Sequence, residues 1–241
     1  GGANLVPPAD TPIDRKIVES LAGQSLLLRL GQVAELLATG LMPRLAAAPG
    51  RPLDFLNIAG GPAIDSLNAL ILLRRDAPAL LAGRQIRINV LDIDAAGPAF
   101  GRSALTALTG ATGPLAGLAV IFEPIAWDWR DLNGLTAFLA ALPASGSIIA
   151  ASSEGGLFEY GSDAEITGVL SSLRQASEDA IFAGSVTRND RATQLLASRS
   201  SFRIRTRGLD LFTPLAEGAG WRVDETRQAA FSDQVLLRPV A

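Results

Sequence analysis

From residue 53 onward the chain alternates short apolar runs with stretches of helical spacing, and this alternation limits the fold more than any other feature. Leu53–Ile58 reads as a buried strand and Ala63–Arg75 as the helix after it. Gln85–Leu91 carries Ile86, Ile88 and Val90 at every second position and ends at Asp92, which predicts a second strand. The series continues with a helix over Ala99–Leu108, a strand over Leu118–Phe122, a helix over Leu132–Leu142 and a strand over Ser147–Ala151. Asp163–Gln175 then reads as a helix and Asp179–Val186 as a fifth strand. Strands joined through helices lie parallel, with the helices covering both faces. The last segment differs. After a helical Leu215–Ala219, the strands Trp221–Gln228 and Gln234–Pro239 are separated by a short link, which requires an antiparallel pair. The expected class is α/β: a doubly wound, mostly parallel seven-stranded sheet that closes with a C-terminal antiparallel hairpin.

The 241 residues suit one large domain with a small appendage. Residues 1–50 are expected to form an N-terminal helical cap or lid, and residues 51–241 the main domain. Residues 1–10 are Gly/Pro/Ala-rich and expected to be extended. Thr11-Pro12 then fits a helix start, with threonine as cap and proline in the first turn. Ile13, Ile17 and Leu21, then Leu30, Val33 and Leu37, recur near helical spacing before Pro49-Gly50-Arg51-Pro52 breaks the chain. No stretch reads as the ~20 apolar residues of a membrane span, and no secretory signal is visible. The expectation is a cytoplasmic protein without a membrane partner; a homodimer stays open.

Composition removes whole classes of chemistry. There is no cysteine and no histidine, so disulfides, Cys/His zinc sites and imidazole-based triads are excluded. Acid–base work falls to carboxylates, the single Tyr160, the single Lys16, arginines and hydroxyls. A net charge of −3 disfavours a general nucleic-acid binder.

The loop after the first strand, Asn57-Ile58-Ala59-Gly60-Gly61-Pro62-Ala63, sits where doubly wound sheets bind ligands. It is neither a full G-x-G-x-x-G fingerprint nor a Walker loop, which needs Gly-Lys-Ser/Thr. With the strand order and the closing hairpin, it resembles the first motif of the class I S-adenosylmethionine-dependent methyltransferases, a Rossmann-like family. Asn57 stands in the usual acidic place, and alanine stands at the first and third glycine places. The resemblance spans about residues 53–241. It implies that Ala59, Gly60, Gly61 and Pro62 wrap the methionine end of S-adenosylmethionine, with Asn57 at the ammonium and Ser152 nearby at the end of strand four. It further implies that Asp92, with Asp94 as the second choice, accepts from the ribose hydroxyls beside Ile93, and that Asp128 and Trp129 receive the adenine. Asp94 and Asp131 also read as simple helix caps. No metal is required, and S-adenosylhomocysteine would be the product.

The segment after strand four, Ser153-Glu154-Gly155-Gly156-Leu157-Phe158-Glu159-Tyr160, faces the transferred methyl in that family. Glu154, Glu159 and Tyr160 are therefore the candidate catalytic groups, each also readable as part of a surface loop with Asp163 capping the next helix. The Asn/Asp-Pro-Pro-aromatic signature of amino-methylating nucleic-acid enzymes is missing, which leaves a small-molecule acceptor methylated on oxygen or nitrogen. Arg203, Arg205 and Arg207 alternate as on a strand, which suits a solvated strand edge or, as the second reading, an anionic substrate. From the N-terminal helices, Arg15, Lys16, Gln24 and Arg29 are equally placed to reach inward. Two other classes stay open: a methyltransferase fold that binds without turnover, and a nicotinamide oxidoreductase, which the distance in sequence between Tyr160 and Lys16 disfavours.

Overall fold

The computed structural model describes residues 10–142 and 146–240; the extended segment expected at the N-terminus falls almost entirely outside them. Helix α1 (Pro12–Glu19) starts with the expected Thr11 cap, completed by Asp14 as a reciprocal capping box. Ser20 caps α2 (Leu21–Ala47). There follow β1 (Leu53–Ile58), α3 (Ile64–Asp76), β2 (Ile86–Asp92), α4 (Ala96–Thr109), β3 (Val120–Ala126), α5 (Leu132–Ala141) and β4 (Ile148–Ser153). The chain closes with α6 (Leu157–Tyr160), α7 (Asp163–Ala176), β5 (Ile181–Thr187), α8 (Arg191–Arg199), α9 (Gly208–Gly218), β6 (Trp221–Gln228) and β7 (Ser232–Pro239).

The strands form one seven-stranded sheet in the order β3-β2-β1-β4-β5-β7-β6. The first five are parallel; β7 is antiparallel to both β5 and β6 and lies between them. Strand β1 is central and buried along its whole length. Its alternate residues feed two cores. Leu53 and Phe55 meet α2, α3 and α4 on one face, while Leu56 and Ile58 meet α5, α7 and α9 on the other. At ~2 kcal/mol for each fully buried side chain of this size, the two layers hold the strand ends in a fixed frame.

Three expectations need correction. Strand β3 runs to Ala126, beyond Phe122, because Pro124 lies on an edge strand, where a missing N–H breaks no ladder. The stretch from Phe202 to Arg207 is not a strand. Its alternation has no partner strand, and the three arginines diverge. Arg203 is exposed and Arg205 borders a cleft, while Arg207 is buried and donates to the Phe158 carbonyl, the Gly161 carbonyl and Asp163. Finally, α2 is long and apolar enough, by length and composition, to cross a membrane. Its residues Val33, Leu36, Leu37, Leu41 and Leu45 nevertheless lie in the core against the sheet.

Candidate cofactor and acceptor site

The carboxyl ends of β1, β2, β3 and β4 converge on one cleft of about 560 Å³. Ala59, Asp92, Ile93, Asp128, Trp129 and Tyr160 all border it, with Gly155, Gly156 and Arg205. Residues as far apart in sequence as Ala59 and Arg205 are thus brought together.

The loop geometry explains the degenerate motif. Ala59, Gly61 and Ala63 have φ of 50°, 56° and 53°, so all three glycine places of the motif are left-handed although two hold alanine. An L side chain there costs ~1–2 kcal/mol. Replacing Ala59 by glycine relieves this strain against a chain-entropy cost of ~0.5–1 kcal/mol. The expected result is a gain of about 1 kcal/mol and a rise of about 3 °C in thermal midpoint, read by calorimetry. A lower midpoint would show that the alanine conformation is unstrained.

The loop is fixed from both sides. Asp92 Oδ2 accepts from the Gly61 amide at 2.9 Å, and Asp92 Oδ1 accepts from the Asp94 amide at 2.8 Å. Each oxygen keeps a second lone pair for a ligand in the cleft. Asp94 in turn accepts from the Ala96 amide at the start of α4. Gly97 of α4 packs on Gly61 so closely that a Cβ there would lie 2.7 Å from the Gly61 Cα, and Gly101 lies against the Pro62 carbonyl. Gly156 approaches Ala59 as closely from the β4–α6 side. Gly97, Gly101 and Gly156 escaped the sequence reading. The four-residue spacing of the first pair, one helical turn, was the available signal.

Beneath the loop, Asn57 and Ser152 are wholly buried. Asn57 Nδ2 donates to Asp65 Oδ1 at 2.7 Å and to Ser152 Oγ at 3.2 Å, while Asn57 Oδ1 has no partner among the described residues. At the other end, Ile93 is 75% exposed beside Trp129, an apolar surface open to a flat ligand. Asp128 is clamped by the Arg130 backbone and guanidinium, whose hydrogen bonds hold its carboxyl down at about 2. Asp131 caps α5 as expected; Ser162, not Asp163, caps α7.

Glu154 and Glu159 are not free loop carboxylates. Both pair with Arg29 of α2, Glu159 at 3.3 Å and Glu154 more closely. Of the four inward candidates from the N-terminal helices, Arg29 makes these contacts. Burial raises Glu159 above the usual carboxylate range despite Arg29, and Glu154 adds to the effect. Burial also raises Tyr160, helped by the negative charge of Glu159, so the phenol stays protonated at neutral pH. Tyr160 has the cleft on one side and, on the other, a second pocket of about 360 Å³. Leu26, Leu196, Ile204 and Phe231 give that pocket apolar walls, with Arg29 and Glu159 at its polar end.

No family model and no curated protein matches this sequence. Among solved structures, the chain is similar to the mitomycin 7-O-methyltransferase MmcR, with a TM-score of 0.55 and 16% identity over 96% of this chain and 59% of that one. It is also similar to magnesium protoporphyrin IX methyltransferase from Synechocystis PCC 6803, solved with bound SAH, with a TM-score of 0.59 and 13% identity over 94% and 92%. A third likeness is to LepI in complex with SAM, with a TM-score of 0.53 and 18% identity over 85% and 46%. The chain thus spans less than two thirds of MmcR and of LepI. Its strand order, with an antiparallel strand inserted next to last, and these likenesses give the chain the fold of the class I S-adenosylmethionine-dependent methyltransferases.

Proposed function

We propose that the protein is an S-adenosylmethionine-dependent methyltransferase acting on a small apolar acceptor through oxygen or nitrogen. The observation that carries this reading is the junction at Tyr160: a cleft edged by Asp92 and Trp129 abuts a mostly apolar pocket across a single side chain. The donor set fits the cofactor. The unpartnered Asn57 oxygen suits an ammonium, the remaining lone pairs of Asp92 suit paired ribose hydroxyls, and Ile93 with Trp129 suits a purine. Asp128 would reach an adenine amino group with whatever capacity Arg130 leaves it.

Bound there, S-adenosylmethionine supplies a methyl group on a positively charged sulfur. The protein's part is mainly positioning, which alone supplies much of the rate when the acceptor is already nucleophilic. Tyr160 orients the acceptor by donating its phenolic hydrogen. Glu159 at the polar end is the group available to receive the acceptor's proton, and its raised pKa suits that task. The left-handed geometry kept at Ala59 and Ala63 favours a working loop over a decayed one.

The test is methyl transfer from labelled S-adenosylmethionine to a panel of phenols, hydroxylated heterocycles and aromatic amines small enough for the pocket. Ala197 lines that pocket from α8. Ala197→Phe should lower turnover of the best acceptor by about tenfold or more, ~1.4 kcal/mol, while cofactor affinity stays near wild type. Equal loss of both would place the acceptor elsewhere. Turnover unchanged by the filled pocket would do the same.

A further inference from the structure

We propose that Asp65, rather than a residue at the end of β1, carries the negative charge of the amine subsite, and that it acts through Asn57, whose amide it locks with the oxygen against the glycine loop. This rests on the S-adenosylmethionine reading; the chemistry recognised is the primary ammonium at the amino-acid end of that ligand.

Asp65 is the second residue of α3 and 2% exposed, although a first-turn carboxylate normally sits in water. Its Oδ1 accepts from the Ser66 amide at 2.8 Å and from Asn57 Nδ2 at 2.7 Å. With Ser152 Oγ taking the second contact, the Asn57 amino group is fully engaged. The orientation is unambiguous, since a flipped amide would set its oxygen against a carboxylate. The Asn57 amide lies against Gly60, where an added Cβ would come 2.4 Å from Oδ1 and 2.7 Å from Nδ2, and Oδ1 has no partner among the described residues. Asp65 Oδ2 has none either. Two buried, unsatisfied acceptors on one hydrogen-bonded pair are costly unless a donor arrives. An ammonium brings three donors and the missing charge.

Among the described residues no arginine pairs with this carboxyl. Glu154, on the β4–α6 loop, acts on it with like charge, and Arg29 of α2 is engaged by Glu154 and Glu159. Burial first, with Glu154 adding, pushes Asp65 up to about 6, against the hydrogen bonds that lower it. A cation bound at Asn57 favours the ionised form, so below that value binding must release a proton. Affinity is therefore full above neutral pH and falls as pH drops through about 6.

The experiment is calorimetric titration of S-adenosylhomocysteine and of 5′-methylthioadenosine, which lacks the amino-acid end, at pH 7.5 and 5.0. For the wild type, the first ligand should weaken about tenfold at the lower pH and the second should not. Asp65→Asn keeps an acceptor for the Asn57 amide but removes the charge. It should bind S-adenosylhomocysteine about tenfold more weakly at pH 7.5, with a flattened pH profile and an unchanged response to methylthioadenosine. Asn57→Asp/Asp65→Asn, which moves the carboxyl to the strand end, should recover most of the affinity. Wild-type affinity and profile in Asp65→Asn overturn the proposal, as does an equal pH response of both ligands in the wild type, a result that needs no variant to fold. No binding of either ligand by folded wild type overturns the cofactor reading itself.

Discussion

Asp92→Ala should bind S-adenosylmethionine at least about a hundredfold more weakly than the wild type, the largest effect expected of any single change in the cleft. The carboxylate serves two purposes at once. Its two oxygens hold the Gly61 and Asp94 amides, which fix the glycine loop and the start of α4. Their free lone pairs face the cleft where the ribose hydroxyls are proposed to lie. Hydrogen bonds to a charged acceptor contribute ~1.5–3 kcal/mol each, and a tenfold change in affinity corresponds to ~1.4 kcal/mol. Losing two, with a slackened loop, therefore exceeds two decades. Asp92→Asn keeps the shape and loses the charge, so it should fall between the two. Calorimetry on both variants checks this, and wild-type affinity in Asp92→Ala would remove the ribose role.

The largest effect on stability is expected at Arg29. Arg29→Met keeps much of the buried stem and deletes the guanidinium between Glu154 and Glu159, whose side chains are 17% and 10% exposed. Breaking such a pair from one side costs ~3–5 kcal/mol, because two carboxylates are left facing each other without a cation. The pH dependence fixes the cause. Glu159 already has a raised pKa when folded, since burial outweighs Arg29. A raised carboxyl weakens the fold as pH rises from its unfolded to its folded pKa, and the penalty is complete above the latter. Removing Arg29 widens that interval upward. The deficit of the variant should thus be greatest at pH 7.5 and shrink towards pH 5, as urea unfolding at the two values would read. An equal deficit at both would attribute the loss to packing.

The frame of this fold was legible wherever burial is uniform. Strands β1 and β6 have the bounds their residues predict, because Leu53–Ile58 carries four apolar residues and is buried throughout, and Trp221–Gln228 alternates against a covered face. Reading failed where a local signal had a tertiary override. The third strand, read as ending at Phe122, continues through Pro124 on an edge to Ala126, and the helix read from Leu215 begins at Gly208 with Pro214 inside it. Helix α8 went unread, since it buries only Thr193 and so carries almost no apolar stripe. The arginines at 203, 205 and 207 mimic a strand in a segment that pairs with none.

The candidate site divides along the same line. Its loop and strand-end residues follow from local order, so Ala59, Gly61 and Asp92 could be named from the chain alone. Arg29 could be named only as one of four inward candidates, and Asp65 not at all. Arg29 meets Glu154 across 125 positions. Asp65 looks like an ordinary first-turn helix acid, and only the side chain's inward turn onto Asn57 sets it apart. Both are second partners of predicted residues, a relation that spacing does not encode.

The most direct measurement is calorimetric titration of S-adenosylmethionine, with NADH as the competing ligand class, into the folded wild-type chain. Saturable heat at one ligand per chain with micromolar affinity for S-adenosylmethionine, and none for NADH, is the expected result. Silence from S-adenosylmethionine, or heat from NADH alone, would contradict the assignment of this cleft.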